Sequence, residues 1–233
     1  MERGLAPTRE KAQALILSGQ VLVEEQKVEK AGARVEHEAA LRLLGTPSPY
    51  ASRGGLKLAA ALDAFALDLQ GRICLDVGAS TGGFTDCMLQ HGAARVYAVD
   101  VGVGQIAWRL RQDPRVILRE KLNARYLAPQ DLGEPVDFAA VDVSFISATM
   151  ILPRLPALMR RPAEIVVLVK PQFEVGRGQV GKGGIVRDPA LHKLAVEKVT
   201  AAALALGFQN PRFIPSPITG AEGNQEFLLH LKV

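Results

Sequence analysis

Residues 75–100 contain a glycine-rich turn between two short apolar runs, each of which ends in an aspartate. The first run ends at Asp76, the turn reads VGASTGG over residues 77–83, and the second run ends at Asp100. An apolar strand, a small-residue turn, a helix and a second apolar strand form one βαβ unit of a nucleotide-binding sheet. The stretch therefore predicts an α/β fold with a ligand site at the turn.

The turn has features of a site for an adenosine-type ligand. Gly78 and Gly82 let the backbone bend sharply and approach a ligand without a Cβ in the way. A helix that begins near Gly82 points free N–H groups at the same place, and Asp100 can accept hydrogen bonds from ribose hydroxyls. Ser80 stands where the dinucleotide fingerprint needs its second glycine, so the spacing is closer to the first motif of S-adenosylmethionine (SAM) methyltransferases. The alternative is a tight turn without a ligand.

Composition excludes several classes of protein. The chain has 233 residues, enough for one large or two smaller domains, and no run of 18 apolar residues that could span a membrane. The first four residues lack a signal-peptide core. Cys74 and Cys87 have apolar neighbours, which predicts buried thiols in a reducing cytoplasm.

Positive charge mildly favours a polyanionic partner. The net charge is +4 and the sequence pI is about 9.2. Residues 105–125 carry six Lys/Arg against two acids, and residues 170–198 carry six against three. For either cluster alone, a solvated loop is the simpler interpretation.

The first 45 residues predict a separate small α+β module. An i, i+3, i+4 apolar face at Ala12, Leu15 and Ile16 predicts a helix that Gly19 ends, and residues 21–28 follow as a hairpin. The stretch TREKAQALILSGQVLV (8–23) resembles the small RNA-binding domain first seen in ribosomal protein S-four. That domain's first helix normally begins several residues earlier, so we expect an N-terminally short version.

A linker and a helix follow the module. Residues 46–52 are the predicted linker, because Pro47 and Pro49 stiffen the chain and prevent a helix. The next residues open a helix that ends near Phe65 and carries Lys57. Taken alone, Lys57 would be a surface lysine.

The rest of the chain predicts a Rossmann-like seven-stranded sheet. Five apolar runs are mostly separated by helical segments, which favours a parallel sheet covered on both faces. After a helix at 189–206, two further strands predict an antiparallel pair at one edge, as is typical of SAM methyltransferases. The predicted strands are 72–77, 95–100, 115–119, 136–142, 164–170, 212–218 and 225–233. We place this domain at residues 53–233.

Ligands of such sheets bind at the carboxyl ends of the strands, where this sequence has Asp76, Asp100, Asp142 and Lys170. Lys170 ends an apolar run, and burying an unpaired ammonium group is costly. Asp142 ends the neighbouring run and is the expected ion-pair partner. Glu226, at the start of the last strand, offers a second carboxylate.

Two lysines and two carboxylates around one cleft suit methylation of a ribose. The 2′-hydroxyl is a weak acid and a poor nucleophile. Burial and a second lysine lower the pKa of a lysine, which can then accept or stabilise the hydroxyl proton, while carboxylates fix its position. The hydroxyl, the base and the donor methyl group must lie nearly in line, so positioning supplies much of the rate. The candidate catalytic residues are Lys57, Asp142, Lys170 and Glu226.

Eight motifs spread over nearly the whole chain resemble those of the TlyA family of bacterial ribosomal RNA 2′-O-methyltransferases. This family is often labelled hemolysin-like, and its wider relatives are the FtsJ-like ribose methyltransferases. The motifs are SRGGLKL (52–58), LDVGASTGGFTD (75–86), YAVDVG (97–102), NAR (123–125), DVSFIS (142–147), LVKPQFE (168–174), GKGGIVRD (181–188) and NQEF (224–227).

The resemblance implies a Lys-Asp-Lys-Glu tetrad at the four candidate positions, with Lys170 as the base or proton acceptor. Asp142 orients Lys170 and also faces the methyl group of SAM, whose ribose lies at Asp100 and whose adenine lies near Asn123. The implied SAM-binding residues are Asp76, Gly78, Ser80, Gly82, Gly83, Phe84, Asp100, Asn123 and Asp142. The implied RNA-binding residues are Arg9, Lys11, Arg53, Lys182 and Arg187.

The same resemblance implies partners and a cofactor. The substrate would be ribosomal RNA or a ribosomal subunit, with cytidine as the methylated nucleotide. The cofactor would be SAM, with no metal ion, no membrane and a cytoplasmic location.

Three other functions stay open from the sequence. A membrane-acting hemolysin would need an amphipathic or spanning segment, and the sequence has neither. An RNA-binding protein with an inactive methyltransferase fold would not need all four tetrad positions filled. The third is a SAM methyltransferase that acts on a base or a protein. Enzymes that methylate exocyclic base amines usually have an Asn/Asp-Pro-Pro-aromatic motif where this chain has DVSF at residues 142–145.

Overall fold

The structure is a computed structural model that describes residues 3, 5, 6, 8–17, 19–44 and 48–233, except for the side chains of Lys11 and Arg177. It separates into two compact units, Met1–Ser48 and Pro49–Val233. Two predictions lie outside the described residues: the RNA contact of the Lys11 side chain, and residues 46 and 47 of the linker.

The N-terminal unit is a helix with a three-stranded antiparallel sheet. Helix α1 is followed by strands in the order β2-β1-β3, and Leu15 and Leu22 are buried in its small core. The helix and the hairpin agree with the predicted α+β module, whereas β3 was not predicted. The elements are α1 (Arg9–Leu17), β1 (Val21–Val23), β2 (Gln26–Val28) and β3 (Leu41–Leu43).

The C-terminal unit contains a seven-stranded sheet in the order β6-β5-β4-β7-β8-β10-β9. The strand β10 is antiparallel to both of its neighbours, and the other six strands share one direction. This confirms the predicted sheet and its antiparallel edge. The strands are β4 (Ile73–Val77), β5 (Arg95–Val99), β6 (Val116–Arg119), β7 (Val136–Val141), β8 (Met159–Val169), β9 (Gln209–Pro215) and β10 (Phe227–Lys232).

Helices cover both faces of this sheet because its strands are apolar on both sides. Along β4, Cys74 packs into a cluster with helices α2 and α3, while Leu75 packs into a second cluster with α7. Each large apolar side chain buried in this way stabilises the fold by about 1.5–3 kcal/mol. The helices are α2 (Gly54–Phe65), α3 (Gly83–Gln90), α4 (Trp108–Arg111), α5 (Pro129–Leu132), α6 (Pro171–Glu174) and α7 (Pro189–Ala205).

The strand order reverses between β4 and β7, and this reversal determines where the site lies. The chain continues from β4 outward to β5 and β6 on one side, then returns to β7 and continues to β8 on the other. A crevice opens at such a switch point, outside the carboxyl ends of the two strands. Gly78 follows β4 and Asp142 follows β7, so both border this crevice.

Two further predictions concern the cysteines and the membrane. Cys74 and Cys87 are free and buried, as predicted. None of the helices in the described part of the chain has both the length and the apolar character that a membrane span requires.

Candidate active site

Lys170 is held at the end of β8 by two side chains from the loop after β7. Its Nζ lies 2.6 Å from Asp142 Oδ1 and donates a hydrogen bond of 2.8 Å to Ser144 Oγ. The lysine side chain is 10% exposed, so the ammonium group is largely removed from water. Since β7 and β8 are parallel neighbours, their carboxyl ends bring these side chains to one edge of the sheet.

Lys57 and Glu226 form a second, separate ion pair. Lys57 lies in α2 and donates to Glu226 Oε2, and both side chains are buried. The sequence offered Glu226 as a second carboxylate for Lys170, but the structure pairs Glu226 with Lys57 instead. Gly220 leaves room for the Glu226 carboxylate, because a Cβ at position 220 would lie 2.6 Å from Glu226 Oε1.

One cavity of about 460 Å³ joins the two ion pairs. Lys57, Lys170 and Glu226 line it, and Asp142 reaches it through its contact with Lys170. The structure therefore brings the four candidate catalytic residues together. A group bound in this cavity would meet two ammonium groups whose positions are fixed by carboxylates.

Two further cavities meet at the switch point and share Gly78, Ser80 and Asp142. The first, of about 350 Å³, is also lined by Asp100 and Asn123. The second, of about 380 Å³, is lined in addition by Arg53, Gly83, Phe84 and Lys57. Most of the residues predicted to bind SAM therefore surround two adjoining spaces beside the cavity that joins the two ion pairs.

The glycine-rich turn is shaped as a cradle. Gly78 has a φ of +92°, and a Cβ there would lie 2.2 Å from the backbone oxygen of Asp142. Ser80 is also left-handed, with a φ of +46°, and its N–H donates to Asp100 Oδ2 at 2.7 Å. Gly102 N–H donates to Asp100 Oδ1 at 2.6 Å. These bonds orient the carboxylate, whose remaining lone pairs can accept from a ribose.

Two of the predicted SAM-binding residues do not line either of these cavities. Gly82 precedes α3, and a Cβ there would lie 2.4 Å from Leu110 Cδ1, so its role in the structure is close packing. Asp76 is fully buried and accepts a hydrogen bond of 2.6 Å from Thr85 Oγ1. Burial raises the pKa of Asp76 to about 7, against the opposing effect of the Thr85 hydrogen bond.

The predicted RNA-binding residues whose side chains the structure describes are exposed, three in the C-terminal unit and one in the N-terminal unit. Arg53 borders the cleft and its guanidinium lies 3.5 Å from the backbone oxygen of Thr219. Lys182 and Arg187 are exposed on the loop of residues 181–188, and Arg9 is exposed on α1 in the N-terminal unit. In the described part of the chain, no cluster of three His, Cys, Asp or Glu side chains could hold a metal ion.

Sequence reasoning gave no role to three residues at this site. Ser144 contacts Lys170, and the side chain of Phe145 is 93% exposed at the rim, with its ring centroid 5.4 Å from that of Phe173. Asn224 is buried and accepts from Val186 N–H at 2.9 Å while donating to Gly184 O at 2.9 Å. All three lie within motifs noted in the sequence, but a lone Ser, Phe or Asn has no periodicity that reveals its contacts.

A family model described as FtsJ-like methyltransferase matches residues 50–233. The chain belongs to the FtsJ-like methyltransferase family. A second model, described as the S4 domain, matches residues 2–41. The predicted methyltransferase fold with an N-terminal S-four-type domain is therefore confirmed.

Individual proteins are similar to nearly the whole chain. The 16S/23S rRNA (cytidine-2'-O)-methyltransferase TlyA of Mycobacterium tuberculosis is 47% identical over 233 residues, which are 100% of this chain and 87% of the relative. Hemolysin A of Brachyspira hyodysenteriae is 40% identical over 228 residues, 97% of this chain and 95% of the relative. A solved structure from Streptococcus thermophilus has a TM-score of 0.81 and 46% identity, and the match covers 99% of this chain and 85% of that one.

Proposed function

We propose that this chain is a SAM-dependent methyltransferase that modifies the 2′-hydroxyl of a cytidine in ribosomal RNA. The observation that carries the proposal is the buried Lys170 ammonium group, held by Asp142 and Ser144 beside the glycine-rich cradle. The full-length similarity to TlyA supports the ribosomal substrate and the cytidine. A hemolysin is not favoured, because the FtsJ-like family model covers the unit that contains the tetrad.

The residues around the switch point fit SAM. Gly78 leaves room where a Cβ would collide with the backbone of Asp142, and the oriented carboxylate of Asp100 suits two ribose hydroxyls. Ser80 and Gly83 would border the methionine end, and Asn123 the adenine. When bound, SAM supplies a methyl group on a positively charged sulfur, which is open to attack by an oxygen nucleophile.

In this mechanism, Lys170 first releases its ammonium proton to solvent, and the neutral amine then accepts the proton that the 2′-hydroxyl loses as the oxygen becomes a nucleophile. Asp142 and Ser144 fix the position of Nζ, so the lysine does not have to reorganise during the reaction. Lys57, anchored by Glu226, places a positive charge at the same cavity, where it stabilises the developing negative charge on the ribose oxygen. Both effects act in a site largely shielded from water.

Exposed groups around the cavity would hold the RNA. Phe145 presents its ring to solvent at the rim, and a ring in that position can stack on an unpaired base. Arg53 at the cleft and Lys182 and Arg187 on the nearby loop can contact phosphates. The S4 domain at the N-terminus would add a further contact to ribosomal RNA.

The test is to compare Lys170→Met with the wild-type protein, using labelled SAM and separate ribosomal subunits. We expect methyl transfer to ribosomal RNA to fall by about a thousandfold, because general-base catalysis contributes about 10²–10⁴-fold. SAM affinity should be nearly unchanged, because the lysine does not line the cavities at the cradle. The control is Lys193→Met, an exposed lysine on α7.

Two outcomes would contradict the proposal. Normal turnover by Lys170→Met would exclude the lysine as the base. Labelling of a base or of protein, instead of a ribose, would exclude 2′-O-methylation. Mapping the labelled nucleotide in the wild-type reaction identifies the site.

A further inference from the structure

Glu174 is a buried glutamate that the proposed mechanism does not use. It ends the short helix α6, one turn after Lys170, and is only 5% exposed. It belongs to the motif LVKPQFE, but it does not line the catalytic cavity. An acid removed from water is retained only where its contacts compensate for the lost hydration.

The Glu174 carboxylate joins three parts of the chain. One oxygen accepts a hydrogen bond of 2.5 Å from Ser147 Oγ, and the other accepts a bond of 2.7 Å from the Ala148 N–H. Lys198 of α7 lies 3.3 Å from the carboxylate and donates to the Glu174 backbone oxygen at 2.6 Å. Every oxygen of this residue is thus engaged.

We propose that Glu174 is a positioning residue, which fixes the loop of residues 142–148 and so the side chains that hold Lys170. Helix α6 and this loop face each other and are joined at two places. At the start of the helix, Lys170 binds Asp142 and Ser144; at its end, Glu174 binds Ser147 and Ala148. The loop therefore cannot shift relative to Lys170 without breaking bonds to a buried carboxylate.

The backbone of the loop gives an independent reason for such an anchor. Phe145 has a φ of +64°, and a bulky residue in this left-handed region persists only where the surroundings fix it. The Ser144 bond to Lys170 lies on one side of Phe145, and the Glu174 bonds to Ser147 and Ala148 lie on the other. The contacts of Glu174 thus hold the turn that directs the Phe145 ring into solvent.

A simple stabilising role can be separated from a positioning role, because the chain offers a matched control. Glu164 lies in the middle of β8, the strand that leads to Lys170, and it is also partly buried. It pairs with Arg72 at 2.9 Å and lies 3.7 Å from Lys232, far along the sheet from the cavity. Removing Glu164 should lower stability without changing the loop of residues 142–148.

The inference rests on the proposed function, and the experiment uses two readouts so that the two can fail separately. Full-length Glu174→Ala, Glu174→Gln, Ser147→Ala and Glu164→Ala are compared with wild type below their unfolding transitions. Amide hydrogen exchange of residues 143–148 reports on the loop whether or not the protein is active. Single-turnover and steady-state methylation of ribosomal RNA give kcat per SAM-binding site and KM for SAM.

We expect exchange in the loop to rise about tenfold in Glu174→Ala, as the loss of two hydrogen bonds implies. The kcat should fall by about tenfold or more, because small displacements of reacting groups are costly, while KM for SAM changes less than about twofold. Glu174→Gln should recover part of the rate, since its amide oxygen can still accept from Ala148. Ser147→Ala removes one hydrogen bond without removing the buried charge. Its loop exchange rate and its kcat should therefore lie between those of wild type and those of Glu174→Ala.

Three results would overturn the positioning role. They are unchanged exchange in the loop of Glu174→Ala, a kcat equal to that of Glu164→Ala, or a fall confined to KM for SAM. Wild-type protein that methylates no ribosomal RNA would instead overturn the proposed function, and the exchange data would still decide whether Glu174 holds the loop.

Discussion

Asp76 shows how one buried group can make stability depend on pH. It is the one acidic residue of β4, and its Oδ1 has no hydrogen-bond partner in the described part of the chain. Burial, the largest cause, raises the pKa of Asp76 from 3.8 to about 7, and the nearby Asp142 and Asp100 add to the rise. The folded protein therefore holds this proton more tightly than the unfolded chain does.

The sign of the pH dependence follows from this difference. The contribution of Asp76 to stability is complete below about pH 4 and is lost as pH rises through about 7. Asp76→Asn keeps an acceptor for Thr85 but cannot ionise. We expect the free energy of unfolding of wild type to fall relative to this variant by about 1.4 kcal/mol per pH unit between these limits. Denaturant titrations from pH 4 to pH 8 measure it, and a constant difference would show that Asp76 ionises as it does in the unfolded chain.

The buried pair Lys57–Glu226 should stabilise the fold only while both partners are present. Lys57→Met or Glu226→Leu alone leaves a buried charge unpaired, and such changes cost about 3–5 kcal/mol. The double variant should recover much of that loss, because it leaves no buried charge. Chemical denaturation of the four proteins measures the coupling. The exposed Lys193–Glu197 pair on α7, at 3.6 Å, serves as the control and should couple by less than about 0.5 kcal/mol. Strictly additive losses in the buried pair would contradict the prediction.

At the level of single residues, the sequence predicts which side chains are functional better than it predicts which side chains contact each other. A lysine at the end of an apolar run must find a carboxylate, so the contact between Lys170 and Asp142 could be reasoned out. The partner of Glu226 could not, because Lys57 is 169 residues away along the chain and helix α2 has to dock first. The contact of Ser144 with Lys170 could not be predicted either, since serine after a strand is also common in turns that bind no partner.

At the level of elements, the junction of β4 and β7 determines the shape of the cleft. The N–H of Asp142 donates to Val77 O at 2.9 Å, which continues the pairing of the two strands to their ends. Gly78 lies directly beyond, with its α-carbon close to the Asp142 carbonyl. The site thus depends on the absence of one side chain as much as on the presence of others.

Gly78→Ala should therefore lower stability and SAM affinity by more than the strain of a left-handed φ alone would cause. The new Cβ would lie 2.2 Å from the Asp142 oxygen, so the ends of β4 and β7 would have to separate. Gly133→Ala is the control, because its φ is +90° but nothing lies within 4 Å of a Cβ there. We expect Gly133→Ala to lose about 1 kcal/mol of stability through the left-handed φ, and Gly78→Ala to lose more and to bind SAM at least about tenfold more weakly. Equal effects of the two substitutions on SAM binding, measured by calorimetry, would rule out this role of Gly78.

The elements themselves were largely predictable, and the differences have physical causes. Helix α7 matches its predicted range to within one residue because Asp188, Pro189 and a long apolar periodicity mark it clearly. Strand β8 begins at Met159, five residues before the predicted start. The prediction was late because a proline such as Pro162 argues against a strand in sequence patterns. Strand β3 has three residues, Leu41–Leu43, too few to show an alternation, and it exists through its pairing with β1.

At the level of the whole molecule, the chain consists of two units of unequal size. The C-terminal unit, Pro49–Val233, contains both large apolar clusters, the tetrad and the cradle. The N-terminal unit has a small core around Leu15 and Leu22. Such a core gives modest stability, which is enough for a module that presents a binding surface. This division predicts that cofactor binding and RNA binding can be separated.

Deletion of residues 1–45 should weaken RNA binding much more than SAM binding. The remaining chain keeps Pro49, Ala51 and every residue of the cradle, and Ala51 N–H still donates to the buried Asp86 at 2.6 Å, so the unit can fold around its own core. We expect the Kd for SAM to stay within about twofold, and the Kd for ribosomal RNA to rise by about tenfold or more, with a shallower salt dependence because phosphate contacts are lost.

Full-length Arg9→Glu, altered only on the exposed face of α1, should reproduce part of the loss of RNA affinity and should leave the Kd for SAM unchanged. If the shortened protein bound RNA as tightly as the full chain at each salt concentration, substrate recognition would belong entirely to the methyltransferase unit.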